Sequence, residues 1–440
     1  MMSSSKCDFL IVGAGFSGLV AAERLCTQYG KRCLVVEKRD HVGGNAHDCY
    51  DEHGVLIHTY GPHYFRTNSD DILAYLSQFT EWIPGNYKVQ VHRDGRYWSF
   101  PINLKTFEQY IGRESTTEEM EAWLAEQQID FETVTNSEEA VLSQVGPEWY
   151  QMFFEGYTLK QWKRHPSELS PSVCRRIPVR TNRDDRYFND THQCLPKHGY
   201  YTLFNNLVKA CGDRLELRLN TDYKAVIGDP SIQWKHMIFT GPIDTYFDYK
   251  FGPLPYRSLR FEHEHLTAEQ LEQGAGSREN EARGMGQGAK SREQVGGSHY
   301  MLCAPNSSPQ APRPQPLAAS PSPHAKCLTC QPCVQVNYPS EALTYTRCVE
   351  AKHITGQQIE GTTIIREFPE DYKLGKEPYY PIPAQDAQAL YKQYEAEAAK
   401  LDNVSFLGRL GKYKYYNMDQ VAGAALQFVE GLKLSVIRPS

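Results

Sequence analysis

The chain opens on an apolar, β-branched run, Phe9-Leu10-Ile11-Val12, that passes directly into the glycine turn Gly13-Ala14-Gly15-Phe16-Ser17-Gly18. Alanines and leucines at helical spacing continue to about Tyr29, with Gly30 as C-cap, and a second apolar run, Cys33 to Val36, ends in Glu37. This pattern predicts strand, turn, helix and strand in the order a dinucleotide fingerprint needs.

The later pattern changes character several times. Val55 to Phe65 alternates and runs into a Gly-Pro turn that presents His63; residues 70–82 carry Ile72, Leu73, Leu76 and Phe79 on one helical face. Val89 to Phe100, around Asp94-Gly95, reads as a β-hairpin. Residues 104–165 are helical in period, clearest at Glu118–Gln128 and Ser137–Val145, and close on the aromatic stretch 147–162. A helix–strand pattern returns over 199–228, and residues 235–262 alternate as a sheet would. From about Thr267 to Cys333 the apolar period is lost in a Glu/Gln/Gly/Ser tract and then a Pro/Ser/Ala tract, a composition that predicts disorder. Order is expected again at Val334, with a strand from Thr362 to Glu367, a helix near 385–401, and a last helix from about Gln420.

Composition narrows the class. A chain of 440 residues has room for two or three domains. A net charge of −6 offers nucleic acid no basic surface. No apolar run approaches the ~20 residues of a bilayer span, and the start MMSSSKC lacks a signal-peptide core, so a cytoplasmic protein is expected. The twelve cysteines then read as reduced. Cys327, Cys330 and Cys333 offer three thiols beside His324 where zinc wants four ligands in an ordered frame, and no metal is expected.

The fingerprint's chemistry follows from its residue types. Gly13 permits the tight turn, Gly15 lets the backbone approach a pyrophosphate, and Gly18 lets the helix pack on the strand, while Phe16 and Ser17 open the helix whose N–H groups face the phosphates. Glu37 lies where a carboxylate binds ribose hydroxyls. Lys38 and the glycine pair ending in Gly44-Asn45 follow closely, which is more typical of FAD than of NAD proteins. His58 and His63 stand beside this region as candidate cofactor contacts. Arg176, Arg180, Arg183 and Arg186 crowd a dozen residues together with Tyr187, a pattern suited to phosphate.

These motifs together resemble the UDP-galactopyranose mutase family, in its bacterial-type branch. The resemblance rests on GAGFSG with VGGN, the GPH turn, YTLKQW, RIPVRTNRDDRYF, VNYP with YTR and EAKH, PYYP, and GRLG with YKYYNMD, and it covers about residues 6–265 and 334–430. It implies an isomerase that interconverts UDP-galactopyranose and UDP-galactofuranose without net redox change, with reduced FAD as covalent nucleophile at the anomeric carbon. It further implies that Arg176 and Arg347 hold the diphosphate, with Tyr187, Tyr380 and Tyr415 beside it, and that His63 lies near the flavin. Phe153, Tyr157, Thr158 and Trp162 match the uridine-binding and mobile-loop region, Asn337 a substrate-site asparagine, and Arg409 and Met418 cofactor contacts, with Arg257 a weaker match.

The fold implied is α/β. A discontinuous Rossmann-like FAD-binding domain is expected from residues 1–75, 198–245 and 385–440, a helical domain at 76–165, and an antiparallel β-sheet substrate domain from 166–197, 246–266 and 334–384, with 267–333 as a disordered insertion. A reductant such as NAD(P)H and a homodimer are the expected partners. Two departures stand out: Asn417 replaces the family's usual aspartate, and about sixty extra residues separate Arg257 from Asn337. They leave open a catalytically silent FAD or UDP-sugar binder. An amine-oxidase-type oxidoreductase is the other alternative, and it would show an apolar substrate channel.

Overall fold

The computed structural model describes residues 5–273 and 329–432. One half is a five-stranded parallel sheet in the order Leu215–Arg218, Cys33–Val36, Phe9–Val12, His236–Phe239, Val404–Phe406. The central strands are buried on both faces, which is why they read as continuous apolar runs and not as alternating ones. Helix Phe16–Thr27 leaves the first strand through the glycine turn and packs against Gly199–Ala210 and Met418–Gly431. Both ends of the chain therefore build this layer.

The second sheet has seven strands in the order Tyr380–Pro381, Tyr256–Leu266, Thr362–Asp371, Arg347–Glu350, Gln335–Asn337, Val89–Arg93, Arg96–Phe100. It is antiparallel except where Gln335–Asn337 runs parallel to Val89–Arg93. The hairpin at 89–100, grouped by sequence with the helical segment, thus forms one end of this sheet. Its register sets Asn337 opposite Arg347 and Arg347 opposite Glu367, so the extra residues that precede Gln335 leave these strands paired.

Several expectations are corrected. The helix expected over 70–82 stops at Leu76, and Trp82–Pro84 instead pairs with His192–Pro196, while Phe79 turns into the core. Residues 235–262 divide between the two sheets, with a short helix Ile243–Tyr246 between them. Of the segment 267–333 expected as a disordered insertion, residues 267–273 and 329–333 are among those described. Residues 274–328, including Cys327, lie outside the described residues, but Gln331 and Cys333 are buried. Their segment is held by the fully buried Glu350 carboxylate, which accepts the N–H groups of Cys330 (2.9 Å) and Gln331 (2.8 Å). No composition rule anticipates a backbone segment anchored by one carboxylate from another strand.

Candidate active site

The glycine turn lines a cleft of about 580 Å³ at the carboxyl ends of the parallel strands. Gly13 has φ +101°, and a Cβ there would overlap Thr240 Oγ1, so only glycine fits the turn. The Gly15 and Gly44 backbones face one another closely enough to shape one cradle from two loops. The helix that begins at Phe16 has no side-chain cap and no acidic residue in its first turn, which leaves its N-terminal N–H groups and partial positive charge for an anion. Glu37 accepts the Ala14 N–H at 2.9 Å and the Arg39 N–H at 3.0 Å, which fixes its carboxylate at the cleft wall. Lys38 and Arg39 both pair with Glu377, at 2.6 and 2.8 Å, and Arg39 also donates to Asn45 Oδ1. These residues suit a dinucleotide.

A second chamber of about 300 Å³ adjoins the first, and His63, Arg409 and Met418 line both. His63 therefore sits at the junction of the two. Its Nδ1 lies 2.7 Å from the Gly61 carbonyl, which can only accept, so Nδ1 carries the proton and Nε2 is left as an acceptor. Its backbone N–H donates to His58 Nδ1 at 2.9 Å. Burial pushes His63 down to about 4 and His58 to about 3, so both imidazoles are neutral near pH 7.

The chamber wall is cationic and aromatic. Arg176 donates to Tyr415 Oη at 2.8 Å and lies 5.1 Å from its ring centroid. The Tyr380 and Tyr415 rings stack at 5.6 Å, and Arg409 sits 5.3 Å from each, held by the carbonyls of Tyr416 and Tyr379. Burial alone would raise the Tyr415 phenol, but Arg176 and Arg409 outweigh it and hold it below its ordinary value. Arg347 pairs at 2.7 Å with Glu367, a carboxylate 1% exposed in the sheet. Burial opposes the Arg347 charge, and Glu367 more than restores it. Two charged guanidinium groups from different elements thus face one cavity, with tyrosine hydroxyls between them.

The helix Gly156–Trp162 supplies Tyr157, Gln161 and Trp162 to this wall. Its Lys160 is buried, with Nζ donating to the carbonyls of Tyr338, Ser340 and Tyr345 at 2.7, 2.9 and 2.7 Å, and burial lowers it to about 8. That staple joins the helix to the loop after Asn337.

Of the residues singled out in sequence, Gly13, Gly15, Phe16, Ser17, Glu37, Lys38, Gly44 and Asn45 line the cleft. Arg176, Arg347, Tyr157, Trp162, Tyr187, Tyr380, Tyr415 and Asn417 line the chamber. Six do not line either. Gly18 sits under the turn, where a Cβ would overlap the Gly13 carbonyl, and His58 lies behind His63. Phe153 packs among Trp98, Phe100 and Trp149, Thr158 faces Cys174, and Asn337 lies behind Gln335. Arg257 is buried against Asp371 and the Gln161 carbonyl. Sequence reasoning missed Tyr87, Gln161 and Gln335. Gln161 lies inside the quoted YTLKQW, and Gln335 was legible as a polar residue in an apolar strand.

A Rossmann-type cleft that opens onto a chamber of arginines and tyrosines defines a dinucleotide-dependent enzyme with an anion site. Residues 11–79 match a family model described as NAD(P)-binding Rossmann-like domain, and residues 152–276 and 323–415 match one described as UDP-galactopyranose mutase. A protein of Klebsiella pneumoniae named probable UDP-galactopyranose mutase is 30% identical over 432 residues, 98% of this chain and 95% of its own. The dTDP-fucopyranose mutase of Escherichia coli is also 30% identical, over 95% of this chain and 96% of its own. A crystal structure of reduced UDP-galactopyranose mutase superposes with a TM-score of 0.64 at 18% identity, over 98% of this chain and 97% of that one. The chain belongs to the UDP-galactopyranose mutase family, and it is an isomerase. Among the described residues no helix is long and apolar enough to cross a membrane.

Proposed function

We propose that the chain interconverts UDP-galactopyranose and UDP-galactofuranose, with FAD in the cleft and active in its reduced state. The observation that carries the reading is the junction: His63, Arg409 and Met418 belong both to the cofactor cleft and to the arginine–tyrosine chamber. The chemistry the cofactor would supply there is an electron pair for the anomeric carbon, available only after reduction.

The chain's own residues supply the rest. Arg176 and Arg347 oppose the negative charge that gathers on the diphosphate as its bond to the sugar breaks, and they retain UDP for its return. Glu367 keeps Arg347 in place, and stacked Tyr380 and Tyr415 orient Arg409 and Arg176. Neutral His63 offers Nε2 as an acceptor at the junction, and the buried aromatic wall excludes water. Asn417 lines the chamber and also caps helix Met418–Gly431 in a reciprocal pair with Gln420. Its amide adds no negative charge near a diphosphate. A chamber so rich in arginine argues against amine oxidation. A nucleotide sugar carrying another base or a 6-deoxy sugar is the second reading, favoured by the equal identity to the Escherichia coli mutase. An external reductant such as NAD(P)H, a cytoplasmic location and a homodimer belong to the same proposal.

The test is anaerobic reduction of the flavin-loaded protein with dithionite, addition of UDP-galactofuranose, and chromatographic separation of the products. Conversion to UDP-galactopyranose only after reduction supports the proposal. Measurable UDP affinity without conversion refutes the active mutase and leaves a silent binder.

A further inference from the structure

The chamber wall holds a polar side chain that the diphosphate does not account for. Gln335 is 2% exposed, and the residues directly opposite it on both neighbouring strands are Val89 and Val349, at 2% and 1%. An amide between two buried valines costs free energy unless it is paired, and an apolar residue there would avoid the cost. The pairing is partial. Tyr87 donates its hydroxyl to Gln335 Oε1, and Gln335 Nε2 donates to Asn337 Oδ1 at 2.7 Å. An amide has two N–H donors and two acceptor lone pairs, so one of each remains, on a residue that lines the chamber. The Cys333 thiol, donating to the Gln335 carbonyl at 3.1 Å, helps hold the strand in position.

The position along the wall names the partner. His63 marks the junction with the cofactor, where the anomeric carbon must come. Tyr64 follows His63, its ring lies 4.6 Å from that of Tyr87, and Tyr87 holds Gln335. Gln335 therefore continues the wall from the junction, on the sugar side. We propose that Gln335, oriented by Tyr87, reads a hydroxyl of the substrate's sugar and sets specificity for a hydroxylated hexose at this end. The inference rests on the nucleotide-sugar reading above.

Titration calorimetry on the oxidised, FAD-loaded full chain tests it with two ligands, UDP and UDP-galactose. Gln335→Leu should weaken UDP-galactose about tenfold while UDP stays within about twofold, because UDP carries no hexose for the amide to contact. Tyr87→Phe should weaken UDP-galactose in the same selective way but less, since the amide remains and only its orientation is lost. It also keeps the test open if the leucine variant folds poorly. Equal weakening of both ligands, or no change in either, overturns the assignment. Failure of the unmodified protein to bind UDP overturns the nucleotide-sugar reading itself, an outcome distinct from the variant arms.

Discussion

Acidification is a perturbation whose size can be worked from buried histidines. His47 and His58 are 8% and 3% exposed, and burial pushes each to about 3; His63 is pushed to about 4 by burial. Unfolded, each returns to about 6.5. A base with a depressed folded pKa contributes stability that is present above the unfolded value and lost as pH falls below it. Near pH 5.5 three unfolded histidines bind about 2.7 protons, against almost none when folded. Asp48 acts the other way: burial raises it to about 6, so folding holds about 0.7 of a proton there that unfolding releases. Over these four groups the net uptake on unfolding is about two protons, or about 2.7 kcal/mol lost per pH unit, against a total stability on the order of 5–15 kcal/mol. His41, His236 and His263 are pushed down by burial as well, while Glu350 holds His353 up. The assay is unfolding of the holoprotein by urea at pH 6 and pH 5, read by tryptophan emission, with proton uptake measured in a pH-stat. A midpoint unchanged over that unit, or uptake near zero, refutes the reasoning. His58→Gln should reduce the uptake by about one proton. Since His63 stays neutral above about pH 5, kcat should show no histidine limb near 6.5.

Other predictions follow from single contacts. Arg347→Ala leaves the Glu367 carboxylate buried and unpaired, so it should cost about 3–5 kcal/mol in urea unfolding and lower kcat/KM by about a hundredfold or more. Tyr415→Phe removes the acceptor of the 2.8 Å bond from Arg176 and should lower kcat/KM about tenfold with little change in melting temperature. Gly13→Ala forces a Cβ into Thr240 at φ +101°, and the purified variant should lack flavin absorbance while retaining folded far-UV dichroism. Lys160→Met removes the three carbonyl contacts that staple the Tyr157–Trp162 helix to the 338–345 loop; UDP affinity should fall about tenfold in titration calorimetry.

Local signals made the nucleotide half legible. A strand, a glycine turn and a helix lie within thirty residues, so the geometry of the turn is written in nearest neighbours, and the residues singled out from Gly13 to Asn45 line one cleft, with Gly18 one layer beneath. Arginines and tyrosines singled out in sequence gather in one chamber, since the chemistry that marked them belongs to the side chains themselves. What tertiary structure alone decided were the long-range pairings. The register that sets Arg347 beside Glu367 joins separate strands, and Asn337, expected to touch substrate, is screened by Gln335 two residues earlier on the same face. Helical period could not distinguish Phe153, turned into an aromatic core, from Tyr157, turned into the chamber, because both lie on one apolar stripe. Nor could composition show that Glu350 would capture the Cys330–Gln331 backbone, because that bond depends on a carboxylate brought in by a strand twenty residues away.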